Sequence, residues 1–133
     1  MKYFLDTNVI IDGIKGRNNN IIKHFMENYA ENLFVPAIVV AELEFGALHS
    51  NDYKKNKKLY EKFISNFAVI PFYKEYSKEY AQIRQSLESE GTPIGANDML
   101  IAATALANDA ILVTHNVGEF ERIHNLRIED WTK

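Results

Sequence analysis

Residues 2–12 read KYFLDTNVIID. The apolar run Tyr3 to Leu5 stops on a carboxylate, Asp6, and Val9, Ile10 and Ile11 then resume the hydrophobic pattern. A short apolar strand passing straight into a helix is the opening of a β–α unit. Thr7 or Asn8 suits the cap of that helix, which continues through Ile14 and stops near Gly16. What a carboxylate does at the end of a buried strand depends on whether other carboxylates reach the same place.

The same grammar repeats along the chain. Further short apolar strands are predicted at Leu33 to Val35, Ala68 to Ile70 and Ile111 to Val113. Between them the spacing predicts helices. One covers Ile21 to Tyr29, with a turn and a cap in the preceding asparagines. Pro36 suits the first turn of the next, which carries Val39, Val40, Leu43 and Ala47. Asp52 to Phe67 reads as a charged helix with Leu59, Phe63 and Phe67 inward, and Lys74 to Ser89 as another. Ala96 to Ala107 is apolar almost all round. Strands alternating with helices imply a parallel sheet covered on both faces, a three-layer α/β/α domain.

Bulk properties bound the class. The 133 residues are 47% hydrophobic and 25% charged, which fits one domain over residues 1–133. The chain has no cysteine, which excludes disulfides and thiolate metal sites and fits a cytoplasmic setting. No apolar run approaches the ~20 residues that span a bilayer, and the first residues turn acidic too soon for a signal peptide. The net charge of −3 gives no bulk support to nucleic-acid binding.

Sites in parallel α/β sheets gather at the carboxyl ends of strands. Asp6 ends the first strand. Glu42 lies about two turns into the helix after the second. Asp98 stands in the first turn of the apolar helix, and Thr114, His115, Asn116 and Glu119 follow the strand at Ile111 to Val113. Singly, Asp6 and Asp98 read as helix caps and Glu42 as a solvated face. Jointly, converging carboxylates repel one another, and a divalent cation removes that conflict. All-oxygen ligands favour Mg²⁺ or Mn²⁺ over Zn²⁺. Such an ion activates water and neutralises phosphate charge. Asn8 and Thr114 are placed to hydrogen-bond ligands or waters around it. The histidines His24, His49, His115 and His124 lack metal-ligand spacing and read as surface groups. GxSxG, P-loop and GxGxxG motifs are absent. An aspartyl-phosphate phosphatase would carry a second acid where Asn8 stands.

The segments FLDTN, VPAIVVAELEFG, GTPIGANDMLIAATAL and ILVTHNVGEFERIHNLRIEDW resemble the PIN-domain family, and within it the VapC toxins of toxin–antitoxin pairs. The resemblance implies an α/β/α fold and a Mg²⁺- or Mn²⁺-dependent endoribonuclease with Asp6, Glu42 and Asp98 as its metal-binding acids. Many members carry an aspartate where this chain has Asn116, and Glu119 is the acid that can take over. GTPIGANDMLIAA looks like the branch that cuts initiator tRNA in the anticodon region. RNA needs basic groups around the acids. Lys54, Lys55, Lys57, Lys58 and Lys62 form the densest cluster, either an RNA-binding patch or a solvated helix face. The resemblance also implies a VapB-type antitoxin, a homodimer and a toxin–antitoxin hetero-oligomer. Phe25, Met26, Tyr29, Phe45 and Leu48 are the apolar side chains offered for pairing, and a groove between the helices Ile21 to Tyr29 and Ile38 to Leu48 is the expected antitoxin seat. The alternative is a degenerate PIN-like module that binds RNA or protein without cutting, which Asn116 favours.

Overall fold

Five short parallel strands lie side by side in the order β3-β2-β1-β4-β5 in a computed structural model that describes residues 1–133. They are β1 (Tyr3–Leu5), β2 (Leu33–Pro36), β3 (Ala68–Ile70), β4 (Ile111–Val113) and β5 (Arg127–Glu129). Tyr3 sits opposite both Leu33 and Ile111, so β1 is flanked by β2 and β4. Seven helices join them: α1 (Thr7–Lys15), α2 (Asn19–Glu27), α3 (Ala37–Leu48), α4 (Tyr53–Ile64), α5 (Ser77–Ser89), α6 (Ala96–Ala107) and α7 (Val117–Phe120). The result is the expected three-layer α/β/α architecture with an all-parallel central sheet. No helix is long and apolar enough to cross a membrane.

Local chemistry sets the helix ends. Asp6, rather than Thr7 or Asn8, caps α1, its carboxylate accepting from the Thr7 N–H at 2.8 Å. Gly16 ends the helix in the left-handed region at φ 61°, which a side chain would disfavour. Asn18 caps α2 and Asp52 caps α4. The helix expected over Lys74 to Ser89 begins with a 3₁₀ turn at Lys74–Tyr76 before α5. The small side chains Ala102, Ala103 and Ala105 are fully buried on α6, which lets that helix sit close against its neighbours.

Helix α4 turns differently from expectation. Its buried residue is Tyr60, and Leu59 is 43% exposed. The Tyr60 hydroxyl donates to Glu44 Oε2 at 3.0 Å, so the ring enters with its polar end satisfied and turns Leu59 away. Glu44 also accepts from Tyr53 at 2.8 Å and Lys57 at 3.0 Å, tying α4 to α3. The unpredicted strand β5 is held at the sheet edge by Trp131, which is buried, stacks on His24 at 4.9 Å and donates to Glu129 at 3.0 Å.

Gly13 lies inside α1, where a side chain would usually help the helix by ~1 kcal/mol. A Cβ there would stand 2.9 Å from both Phe25 and Phe63. Gly13→Ala is therefore expected to destabilise the fold by ~1–3 kcal/mol in a urea melt, overpacking outweighing helix propensity. A variant as stable as the parent would show that the two rings yield freely.

Candidate active site

The carboxyl ends of β1 and β4 meet at the centre of the sheet, where the chain order reverses from one side of β1 to the other. Asp6 emerges there, its N–H donating to Val113 C=O at 3.0 Å. Its side chain is buried, with Oδ1 on the Thr7 N–H and Oδ2 accepting from the Thr114 hydroxyl at 2.8 Å. Thr114 is itself fully buried. The Thr114 oxygen also accepts from the Asn116 N–H at 3.0 Å, so one hydroxyl fixes both Asp6 and the turn after β4.

Glu42 reaches the same place from α3, and its Oε1 accepts from the Thr7 hydroxyl at 2.6 Å. Asp98 stands in the first turn of α6. It does not cap that helix: Gly95 holds the cap position without a side-chain hydrogen bond. Glu119, from α7, lies close enough to Asp98 for its charge to act on the Asp98 carboxyl. The Asn116 side-chain amide donates to Glu119 Oε2 at 3.1 Å. Asn116 thus holds the carboxyl three residues further along the chain.

These acids disturb one another. Burial pushes the Asp6 carboxyl up; the Thr114 and Thr7 hydrogen bonds oppose that, and Glu42 adds to it. Asp98 is pushed up to about 6, first by burial and then by the charges of Asp6, Glu119 and Glu42. No lysine, arginine or histidine forms an ion pair with any of the four. Half-buried carboxylates without a cationic partner are the donor set for a hard divalent cation. As they stand, no three acidic side chains close into a ligand shell.

The sequence matches the family model described as PIN domain over residues 3–126. The chain is 38% identical over 131 residues to the ribonuclease VapC2 of Haemophilus influenzae, covering 98% of each. It is 37% identical over 131 residues, again 98% of each, to the tRNA(fMet)-specific endonuclease VapC of Salmonella typhimurium. Among solved structures it resembles the crystal structure of VapBC2 from Rickettsia felis bound to a promoter DNA fragment. That match has a TM-score of 0.92 at 35% identity, covering 98% of this chain and 99% of that one. The chain belongs to the PIN-domain family, in its VapC branch.

In this PIN domain the acids singled out in the sequence, Asp6, Glu42, Asp98 and Glu119, lie near one another, and the Thr114 hydroxyl donates to Asp6. Asn8 does not bond a carboxylate; the hydroxyl that does is that of Thr7, one residue earlier. Lys57 is engaged by Glu44, whereas Lys54, Lys55, Lys58 and Lys62 are exposed and unpaired. The groove expected between α2 and α3 is not formed. An apolar cleft of ≈ 220 Å³ runs between α1, α3 and α4, lined by Ile11, Ile14, Leu43, Ala47 and Leu59, and opens onto Glu42. Helix α1 packs against both α2 and α3, and so takes the place between them. One further pair carries no local sequence signal. His115 is oriented by Asp130, Nδ1 to Oδ2 3.0 Å, and Thr132 donates to the same carboxylate at 2.6 Å.

Asp98 binds a proton more tightly folded than unfolded, so between its ordinary value of 3.8 and about 6 the folded state carries more protons. Stability from this group is full below that window and is lost as pH rises through it. Asp98→Asn removes the penalty. With a half-exposed group discounted for screening, we expect the metal-free variant to gain ~1 kcal/mol at pH 7 and almost nothing at pH 4. Thermal melts at the two pH values check this; a variant destabilised at pH 7 would contradict it.

Proposed function

We propose that this chain is a divalent-cation-dependent endoribonuclease, the toxin of a toxin–antitoxin pair, and that its substrate is a tRNA, the anticodon region of initiator tRNA. The observation that carries the reading is the convergence of Asp6, Glu42, Asp98 and Glu119 without a cationic side chain at the mouth of β1 and β4. The named activities of the ribonuclease and tRNA(fMet)-specific relatives support it. So does the likeness to VapBC complexes, which also supports a VapB-type antitoxin as partner.

Asp6, Glu42 and Asp98 are the residues that would hold the ion, with Glu119 as the fourth acid. When bound, such an ion stabilises charge on the scissile phosphate and makes a water acidic enough to attack. The chain's own contribution is order. The Thr114 hydroxyl holds Asp6 Oδ2, the Thr7 hydroxyl holds Glu42 Oε1 and the Asn116 amide holds Glu119 Oε2, so three of the carboxylates are oriented in advance. Asp98 is the acid that gives up a proton near pH 6, so below that pH protons compete for the site. Asn116 alone would favour a non-cutting module, but its amide holds the carboxyl of Glu119, whose charge acts on Asp98.

The reading extends to assembly. The apolar cleft between α1, α3 and α4 ends at Glu42, so an antitoxin segment lying in it reaches the acids with a basic side chain. Met26, Tyr29, Phe45 and Leu48 are each at least two-thirds exposed, a surface for a homodimer; Phe25, also offered for pairing, packs instead on Phe63 and Trp131. Lys54, Lys55, Lys58 and Lys62 are exposed, unpaired cations that can meet RNA phosphates.

Asp6→Asn and Asp98→Asn should each lower RNA cleavage by more than about 100-fold with an unchanged circular dichroism spectrum, and EDTA should stop the parent until Mg²⁺ or Mn²⁺ is restored. Glu119→Gln should lose about 10–100-fold, the loss typical of groups that tune a metal site. Cleavage of initiator tRNA at the parental rate by Asp98→Asn would remove the reading.

A further inference from the structure

Beside the acidic cluster lies a second, open recess of ≈ 480 Å³, lined by Asn8, Ile11, Asp12, Arg17, His115 and Asn116. It adjoins the cluster through Asn116 and Asn8. Asn116 bonds Glu119 on one side and faces the recess on the other, and Asn8 follows the Thr7 that holds Glu42.

Its side chains are placed by the fold. Gly16 turns left-handed at the end of α1 and presents Arg17, whose Nη1 stands 4.0 Å from Asp12 Oδ1. Asp130 takes hydrogen bonds from the Thr132 hydroxyl and N–H, which favour its charged, acceptor-only form. His115 Nδ1, 3.0 Å away, therefore carries the hydrogen, and Nε2 makes no hydrogen bond within the chain. The ring is thus fixed in place with one nitrogen open to a ligand, and 68% of its side-chain surface is exposed.

The donor set is not that of a simple anion site. Asp12 would repel a bare phosphate, whereas a base or ribose edge offers the hydrogen it accepts. Two amides, a guanidinium, an imidazole and one apolar wall are the groups that recognise an unstacked nucleotide, by stacking on His or Arg and by edge hydrogen bonds. We propose that this recess is a nucleotide subsite, which takes one unstacked nucleoside of single-stranded RNA next to the bond at the acidic cluster and holds it with His115 and Arg17. The inference rests on the ribonuclease reading and adds to it a residue-level basis for substrate choice.

The test uses the full chain as Asp98→Asn with Mg²⁺, so that RNA is bound and not cut, and a labelled single-stranded RNA octamer as probe. His115→Ala and Arg17→Ala, each added to Asp98→Asn, should weaken binding about tenfold, the loss of one stacked base or charge-assisted contact. In nuclear magnetic resonance spectra the His115 ring signals should shift with RNA, while those of His24, His49 and His124 stay in place. Inorganic phosphate at the same concentration should leave His115 unmoved. Undiminished affinity in both variants, a silent His115, or an equal shift with phosphate would overturn the subsite. Cleavage of the octamer and of initiator tRNA by the parent is measured in parallel. A shifting His115 without cleavage of either RNA would keep the subsite and remove the ribonuclease reading; cleavage with a silent His115 would do the reverse.

Discussion

The hydrogen bond from Thr114 Oγ1 to Asp6 Oδ2, 2.8 Å long and wholly buried, is the joint on which the site depends. It spans the two central strands at the point where the sheet changes direction, between residues 108 positions apart in the chain. It forms only if β1 and β4 pair in the observed register, Leu5 opposite Val113. A slip of one residue would turn Asp6 from the mouth of the sheet toward a covered face and bury Thr114 without its partner. Register, core packing and site geometry are therefore one constraint. The apolar residues Phe4, Leu5, Leu112 and Val113, all at most 1% exposed, enforce it by hydrophobic burial.

Against this ordered frame stands a deliberate conflict. Four carboxylates are brought to one place, each by a different element, and no cationic side chain answers them. Elsewhere carboxylates do find partners: Glu44 takes Lys57 and two tyrosines, and Asp109 takes Arg127. Grouped carboxylates left without a cation at the sheet mouth cost stability, a departure from local consistency of the kind found at functional sites. The hydroxyls of Thr7 and Thr114 and the amide of Asn116 hold the acids in orientation without cancelling their charge.

Much of this was legible in the sequence. Four of the strands and the helix Ala96–Ala107 follow from short apolar runs and periodicity, and the acids Asp6, Glu42 and Asp98 from their places in that frame. Other features depend on contacts that no local pattern carries. Strand β5 has only three residues, two of them charged, and exists because β4 offers it an edge and Trp131 pins it. Tyr60 displaces Leu59 from the interior because Glu44, 16 residues earlier, satisfies its hydroxyl. Thr7 and not Asn8 meets Glu42 because α3 approaches the first residue of α1. The partner of His115 lies 15 residues away, on the segment that β5 brings home.

The central claim is that the unanswered carboxylates form a cation site built around Asp6 and Asp98. Crystals soaked in Mn²⁺ and measured at its absorption edge test this directly. The account predicts an anomalous peak with carboxylate oxygens of Asp6 and Asp98 about 2.1 Å away, completed by waters, and with Thr114 still bonded to Asp6. A featureless cluster at saturating Mn²⁺, or an ion seated on other residues, would contradict it.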